Sequence, residues 1–173
     1  WFQRATSEIS NHLEAIRQRL FQNLDLQRHH IILDLQAGTG LLTWEALRQV
    51  PEGGVWAQAT DKAIAIALRE MATNLSEIER PTILHGPLGN LDKLIAEREK
   101  NMRFDTIIGR NALGDRTEKE EIVHALHPLL SPSGCISLVE AVPRQAQRLH
   151  QLVDLSSLDT DLAQRLIDAE EAI

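Results

Sequence analysis

The chain has a single cysteine, Cys135, in its 173 residues, which excludes a disulfide framework built within it and fits a reduced, cytoplasmic setting. Cys135 lies in an apolar run and is expected to be inert core packing. Long hydrophobic runs are missing as well. No uninterrupted apolar stretch approaches the ~18 residues of a membrane span, and no charged leader precedes an apolar segment at the N-terminus. A basic excess is also lacking. Eighteen Lys and Arg against 25 Asp and Glu leave a net charge of −7, the wrong sign for gripping nucleic acid through a broad cationic face. The chain opens at Trp1 without an initiator methionine and closes at Ile173 inside a helical pattern, so it is expected to be a piece of something longer.

With 43% hydrophobic residues, the chain can bury the core of one domain. Ile9, Leu13, Ile16, Leu20 and Leu24 recur at three- and four-residue steps and predict an amphipathic helix from Thr6 to Leu24. A short apolar run, Ile31 to Leu35, then reads as a buried strand. Two glycines break it at Ala37-Gly38-Thr39-Gly40, and Leu41 to Val50 resumes helical spacing. The alternation continues. Strands are expected at Val55 to Thr60, Thr82 to His85, Phe104 to Gly109 and Cys135 to Glu140, with helices at Lys62 to Leu75, Asn90 to Lys100 and Glu118 to Leu130.

Five strands alternating with helices predict an α/β fold: a doubly wound, mostly parallel sheet with helices on both faces. After Arg144 the alternation stops, and two helices are expected, Gln145 to Leu155 and Asp159 to Ala172, parted by Ser156-Ser157. The expected division is an N-terminal helical segment over 1–30, a core over 31–144 and a helical extension of the same domain over 145–173.

In such a sheet, ligands bind at the carboxyl ends of the strands, where the connections diverge. The turn after the first strand reads Asp34-Leu35-Gln36-Ala37-Gly38-Thr39-Gly40, bare at two positions and opening a helix whose free amides face outward. It resembles the first motif of class I, Rossmann-like S-adenosylmethionine (SAM)-dependent methyltransferases, an acid followed by x-G-x-G-x-G. Asp34, Gly38 and Gly40 match, and Gln36 replaces the first glycine. The dinucleotide fingerprint G-x-G-x-x-G fails at Thr43, which disfavours a nicotinamide-dependent oxidoreductase.

Asp61, after the second strand, stands near where both nucleotide-binding families place a carboxylate on the ribose hydroxyls, and it could equally cap the next helix. Methyltransferases often carry an acid after the third strand to hold the adenine amino group. Here Asn90 is the nearest candidate for that bond, or for a helix cap. Phe104-Asp105-Thr106-Ile107-Ile108-Gly109-Arg110-Asn111 looks like the family's fourth motif, leading to a polar loop that faces the transferred methyl. The D/N-P-P-Y/F signature of base-amine methylation is absent. Leu130-Ser131-Pro132-Ser133-Gly134 resembles the family's L-x-P-G-G turn, with Ser133 for its first glycine.

The resemblance covers about Ile31 to Glu140. It implies SAM as cofactor, with Asp34, Gln36, Ala37, Gly38, Thr39, Gly40, Asp61, Asn90, Arg110 and Asn111 around it, and Arg110, Asn111 and Glu140 toward the acceptor. The family's sixth and seventh strands have no counterpart before Ile173, so they lie beyond it or are missing. Two functions follow from the resemblance: methyl transfer to a small molecule or protein side chain, or an inactive module of a larger protein, used for contacts with its other domains or for sensing SAM. The tail from Asp154 to Ile173 is faintly similar to segments appended to AAA ATPases. His29-His30, with neither a second cysteine nor an acid at ligand spacing, gives no metal site.

Overall fold

The structure, a computed structural model, describes residues 13–114, 116–142, 148–152 and 155–171. Five strands form one wholly parallel sheet in the order β3-β2-β1-β4-β5. They are β1 (Ile31–Leu35), β2 (Gly54–Ala59), β3 (Thr82–His85), β4 (Phe104–Arg110) and β5 (Leu130–Val139). The helices are α1 (13–22 among the described residues), α2 (Leu41–Gln49), α3 (Lys62–Ala72), α4 (Leu91–Ala96), α5 (Lys119–Leu126), α6 (Leu149–Leu152) and α7 (Thr160–Glu171).

Alternation along β1 sorts the core into two layers. Leu33 and Leu35 pack on one face against Leu91, Ile95 and Leu126 of α4 and α5. Ile32 packs on the other with Leu20 of α1 and Leu42 and Ala46 of α2. Beside that second layer, Ala57, Ala59 and Ile83 meet Ala65 and Leu68 of α3. Both faces of the sheet are thus covered, as parallel strands require. Connections from β1 run to β2 and β3 on one side, and β4 and β5 lie on the other, so the switch point is at the carboxyl end of β1.

Two expectations need correction at β5. The strand begins at Leu130, and Pro132-Ser133-Gly134 lies inside it rather than forming a turn before it. A step of two residues on β4, Phe104 to Thr106, is matched by five on β5, Leu130 to Cys135, which makes this stretch a bulge. Proline is tolerated there because no ladder bond is required of it. A Cβ on Gly134 would come within 2.8 Å of the Phe104 carbonyl, so the close approach needs glycine. Cys135, expected in the core, is exposed, because β5 is the edge strand and none of its residues is fully buried.

The chain divides into two compact units, 1–140 and 141–173. In the second, His150 donates its backbone N–H to Glu170 Oε2 at 3.0 Å, and its Nδ1 lies 2.8 Å from the same oxygen, tying α6 to α7. Asp159 caps α7 by accepting from the amides of Asp161 and Leu162. Of the helix expected over Gln145 to Leu155, residues 149–152 are helical, and 143–147 and 153–154 lie outside the described residues. Ser156-Ser157, expected to be a break, fall in a 3-10 turn.

Candidate functional site

The turn after β1 runs through left-handed backbone three times, with φ of 55° at Gln36, 53° at Gly38 and 83° at Gly40. Glycine adopts this conformation freely, whereas for glutamine it costs about 1 kcal/mol. Gly40 has a second reason to be bare. A Cβ there would sit 2.3 Å from Trp44 Nε1 and 2.9 Å from Leu68, so its bareness lets α2 and α3 pack closely rather than admitting a ligand. Gly38 differs, since the nearest atom to a Cβ would be the Gln36 carbonyl at 3.7 Å. The amides of Gly38 and Thr39 meet no acceptor among the described residues.

Beneath this turn Asp34 is only 1% exposed. Its Oδ2 accepts from the Thr43 hydroxyl at 2.6 Å, and its Oδ1 has no hydrogen-bond partner. Burial pushes its carboxyl up to about 7, against the lowering pull of the Thr43 hydroxyl and amide and of the Arg110 guanidinium. Arg110 is the last residue of β4 and is half-buried. The neighbouring Asn111 stands at φ 53° and donates its amide to the Val139 carbonyl at 2.9 Å.

A surface cavity of about 290 Å³ opens between the ends of β1 and β2, lined by Gln36, Gly38, Ala59, Thr60, Asp61 and Ile64. The sequence-expected residues Gln36, Gly38 and Asp61 therefore meet. Ala37 does not line it: its side chain is in the core with Ala57 and Leu68, and its amide donates to the Gln58 carbonyl at 2.9 Å. Thr39 is exposed at the rim of the turn. Asp61 caps α3, its Oδ1 accepting from Ala63 and Ile64 at 2.6 and 3.1 Å. Asn90 is exposed, does not line the cavity and makes no side-chain cap bond to α4.

Residues that sequence reasoning missed hold the cavity together. Gln58, fully buried in β2, accepts from the Gln36 amide at 3.0 Å and donates to the Gly86 carbonyl at 2.6 Å and to Thr60 Oγ1 at 3.2 Å. Thr60 in turn donates to Gln36 Oε1 at 3.4 Å. The available signal was one polar residue in the strand Val55-Trp56-Ala57-Gln58-Ala59. Glu140 also acts otherwise than expected. Its carboxylate accepts from the amides of Ala112, Leu113 and Gly114 at 2.9, 3.1 and 2.8 Å, so it holds the loop after β4.

A second cavity, about 360 Å³, lies by the amino end of β2 against Gly54 and Val55. Its charged residues Arg48, Glu79 and Arg80 already bond to Glu45, Ser76, and the Leu75 and Thr73 carbonyls, which leaves it the poorer candidate. Among the described residues no cluster of His, Cys, Asp and Glu could hold a metal, and no helix is long and apolar enough to cross a membrane.

No family model matches the chain. It is 25% identical over 154 residues to a malonyl-[acyl-carrier protein] O-methyltransferase of Halalkalibacterium halodurans, an alignment covering 85% of this chain and 55% of that protein. Among solved structures, coclaurine N-methyltransferase bound to N-methylheliamine and S-adenosylhomocysteine (SAH) superposes with a TM-score of 0.61, at 15% identity, over 73% of this chain and 35% of that one. A glycopeptide N-methyltransferase complexed with SAM gives 0.56 at 18% identity, over 79% and 58%. Precorrin-6y C5,15-methyltransferase of Geobacter metallireducens gives 0.57 at 17% identity, over 91% and 71%. The chain spans about half the length of the curated relative, and with its five-stranded parallel sheet it has the Rossmann-like fold of the class I SAM-dependent methyltransferases.

Proposed function

We propose that this chain binds SAM at the carboxyl ends of β1 and β2 and transfers its methyl group to a small-molecule or protein acceptor. The observation that carries the reading is the meeting at one cavity of Gln36 and Gly38 from the left-handed turn with Asp61, beside the amides of Gly38 and Thr39, which meet no acceptor among the described residues. The residues fit the cofactor's chemistry. Amides of Gly38 and Thr39 are donors for a carboxylate, and Asp61 Oδ2 is an acceptor for ribose hydroxyls while Oδ1 caps α3. Arg110 at the end of β4 and Asn111 just before the loop held by Glu140 are assigned to the acceptor side.

SAM supplies a methyl group already activated on a sulfonium, so the protein's part is positioning. The turn 36–40 orients the donor's amino-acid end, Asp61 fixes its sugar, and the Glu140-braced loop fixes where an acceptor approaches. The single unpaired cysteine supports a cytoplasmic setting.

A second reading, an inactive module of a larger chain serving contacts between domains or SAM sensing, is favoured by one observation: the Gln36 side chain reaches Thr60 across the cavity. Calorimetric titration with SAM, SAH and NAD tests the cofactor site, which methyl transfer and SAM sensing share, against a pure contact module. Binding of the first two, lost in a folded Gly38→Leu variant, supports the cofactor site. Silence toward all three leaves the contact module, and binding of NAD alone overturns both.

A further inference from the structure

We infer that Gln58 is a positioning residue for the cofactor cradle, a clasp that sets the relative places of the turns following β1, β2 and β3. The inference rests on the SAM-binding reading above. Strands β1, β2 and β3 are adjacent and parallel, so their three following turns lie side by side at one edge of the sheet. Beyond the strand ends the backbone keeps one hydrogen bond between each neighbouring pair, so the turns gain from a further tie. The Gln58 side chain provides one to each: its carbonyl oxygen receives the Gln36 amide from the first turn, and its amide reaches Thr60 in the second and the Gly86 carbonyl in the third.

Every other side chain of β2 is apolar, and Gln58 is 0% exposed. A buried amide would destabilise the strand if its hydrogen bonds were unmade. Here both its ends are satisfied, by atoms of three separate turns. A glutamine is suited to this because it accepts on one oxygen and donates twice from one nitrogen. The backbone adds two parallel ties, Ala37 N–H to the Gln58 carbonyl and Gly86 N–H to the Ala59 carbonyl, at 2.9 and 3.1 Å. Gln36 at φ 55° is the residue most in need of an external hold, since its conformation is unfavourable for a side-chain-bearing residue. The Gln58 oxygen on its amide provides that hold. Gln58 does not line the cavity, so it acts through the turns and not by touching the ligand.

The test is SAH affinity by calorimetry in Gln58→Met, which keeps the length and loses all three bonds, and in Gln58→Glu, which keeps an acceptor for the Gln36 amide. A control, Ile107→Val, removes one methylene from the core and lowers thermal stability away from the turns. The expected result is a loss of at least about tenfold in SAH affinity for Gln58→Met, a smaller loss for Gln58→Glu, and little change for Ile107→Val. Hydrogen exchange on the wild-type chain is a second readout needing no variant: the Gln36 amide is expected to be protected, and more so with SAH. Wild-type affinity in a folded Gln58→Met, an equal loss in Ile107→Val, or an unprotected Gln36 amide overturns the clasp while leaving the cofactor site standing. Failure of the wild-type chain to bind SAH overturns both.

Discussion

Burying Asp34 makes one carboxyl under the first turn a liability that grows with pH. The folded chain holds its proton up to about 7, well above the 3.8 of an exposed aspartate, chiefly through desolvation. Its contribution to stability is therefore fully present below pH ~4 and is lost as pH rises through the folded value, by ~4 kcal/mol at most once the group is ionised. Thermal unfolding from pH 5 to 8 should show a falling midpoint, and Asp34→Asn should flatten that slope and raise the midpoint at pH 8. An unchanged slope would assign the pH dependence to other groups. Gln36 permits a second prediction at this scale. Replacing it with glycine removes the left-handed strain at the expense of one long contact to Thr60, so Gln36→Gly should unfold about 2–4 °C higher.

Among the elements, the β1-turn-α2 unit was the most legible in the sequence, because an apolar run, an acid and two glycines can hardly make anything but a strand end and a helix start. Strands β1 to β4 fall within one residue of expectation for the same reason, being short apolar runs between polar punctuation. The start of β5 was not legible. Pro132 and Gly134 are turn residues by local preference, and only pairing with β4 makes them part of a strand. Nor were the roles of Gln58 and Glu140, since both depend on backbone N–H and C=O groups brought close by the sheet from 22 to 28 residues away. Within the turn, Gly38 and Gly40 look alike in sequence and differ in packing. Gly40→Ala should cost more than 1 kcal/mol in a denaturant titration, through both its φ and its collision with Trp44, whereas Gly54→Ala, with nothing within 4 Å, should be near neutral. Glu140→Ala should leave three amides of the loop after β4 without their acceptor and cost ~1–3 kcal/mol, with hydrogen exchange quickening at 112–114.

For the molecule as a whole, the fold dictates where a ligand can sit more firmly than it dictates which acceptor is used. A parallel sheet covered on both faces leaves its strand ends as the place where polar backbone meets solvent, and the switch point at β1 puts Asp34, the turn 36–40, Asp61 and Arg110 around that place. Methyl transfer demands little more than orientation, so a site made mostly of backbone amides and one carboxylate is chemically sufficient. The most direct measurement is a crystal structure of the chain with SAH. The ligand's amino-acid end is expected against the amides of Gly38 and Thr39 and its ribose on Asp61. Density for Gln36 filling the cleft, with residue 61 turned away and the ligand bound elsewhere, would contradict it.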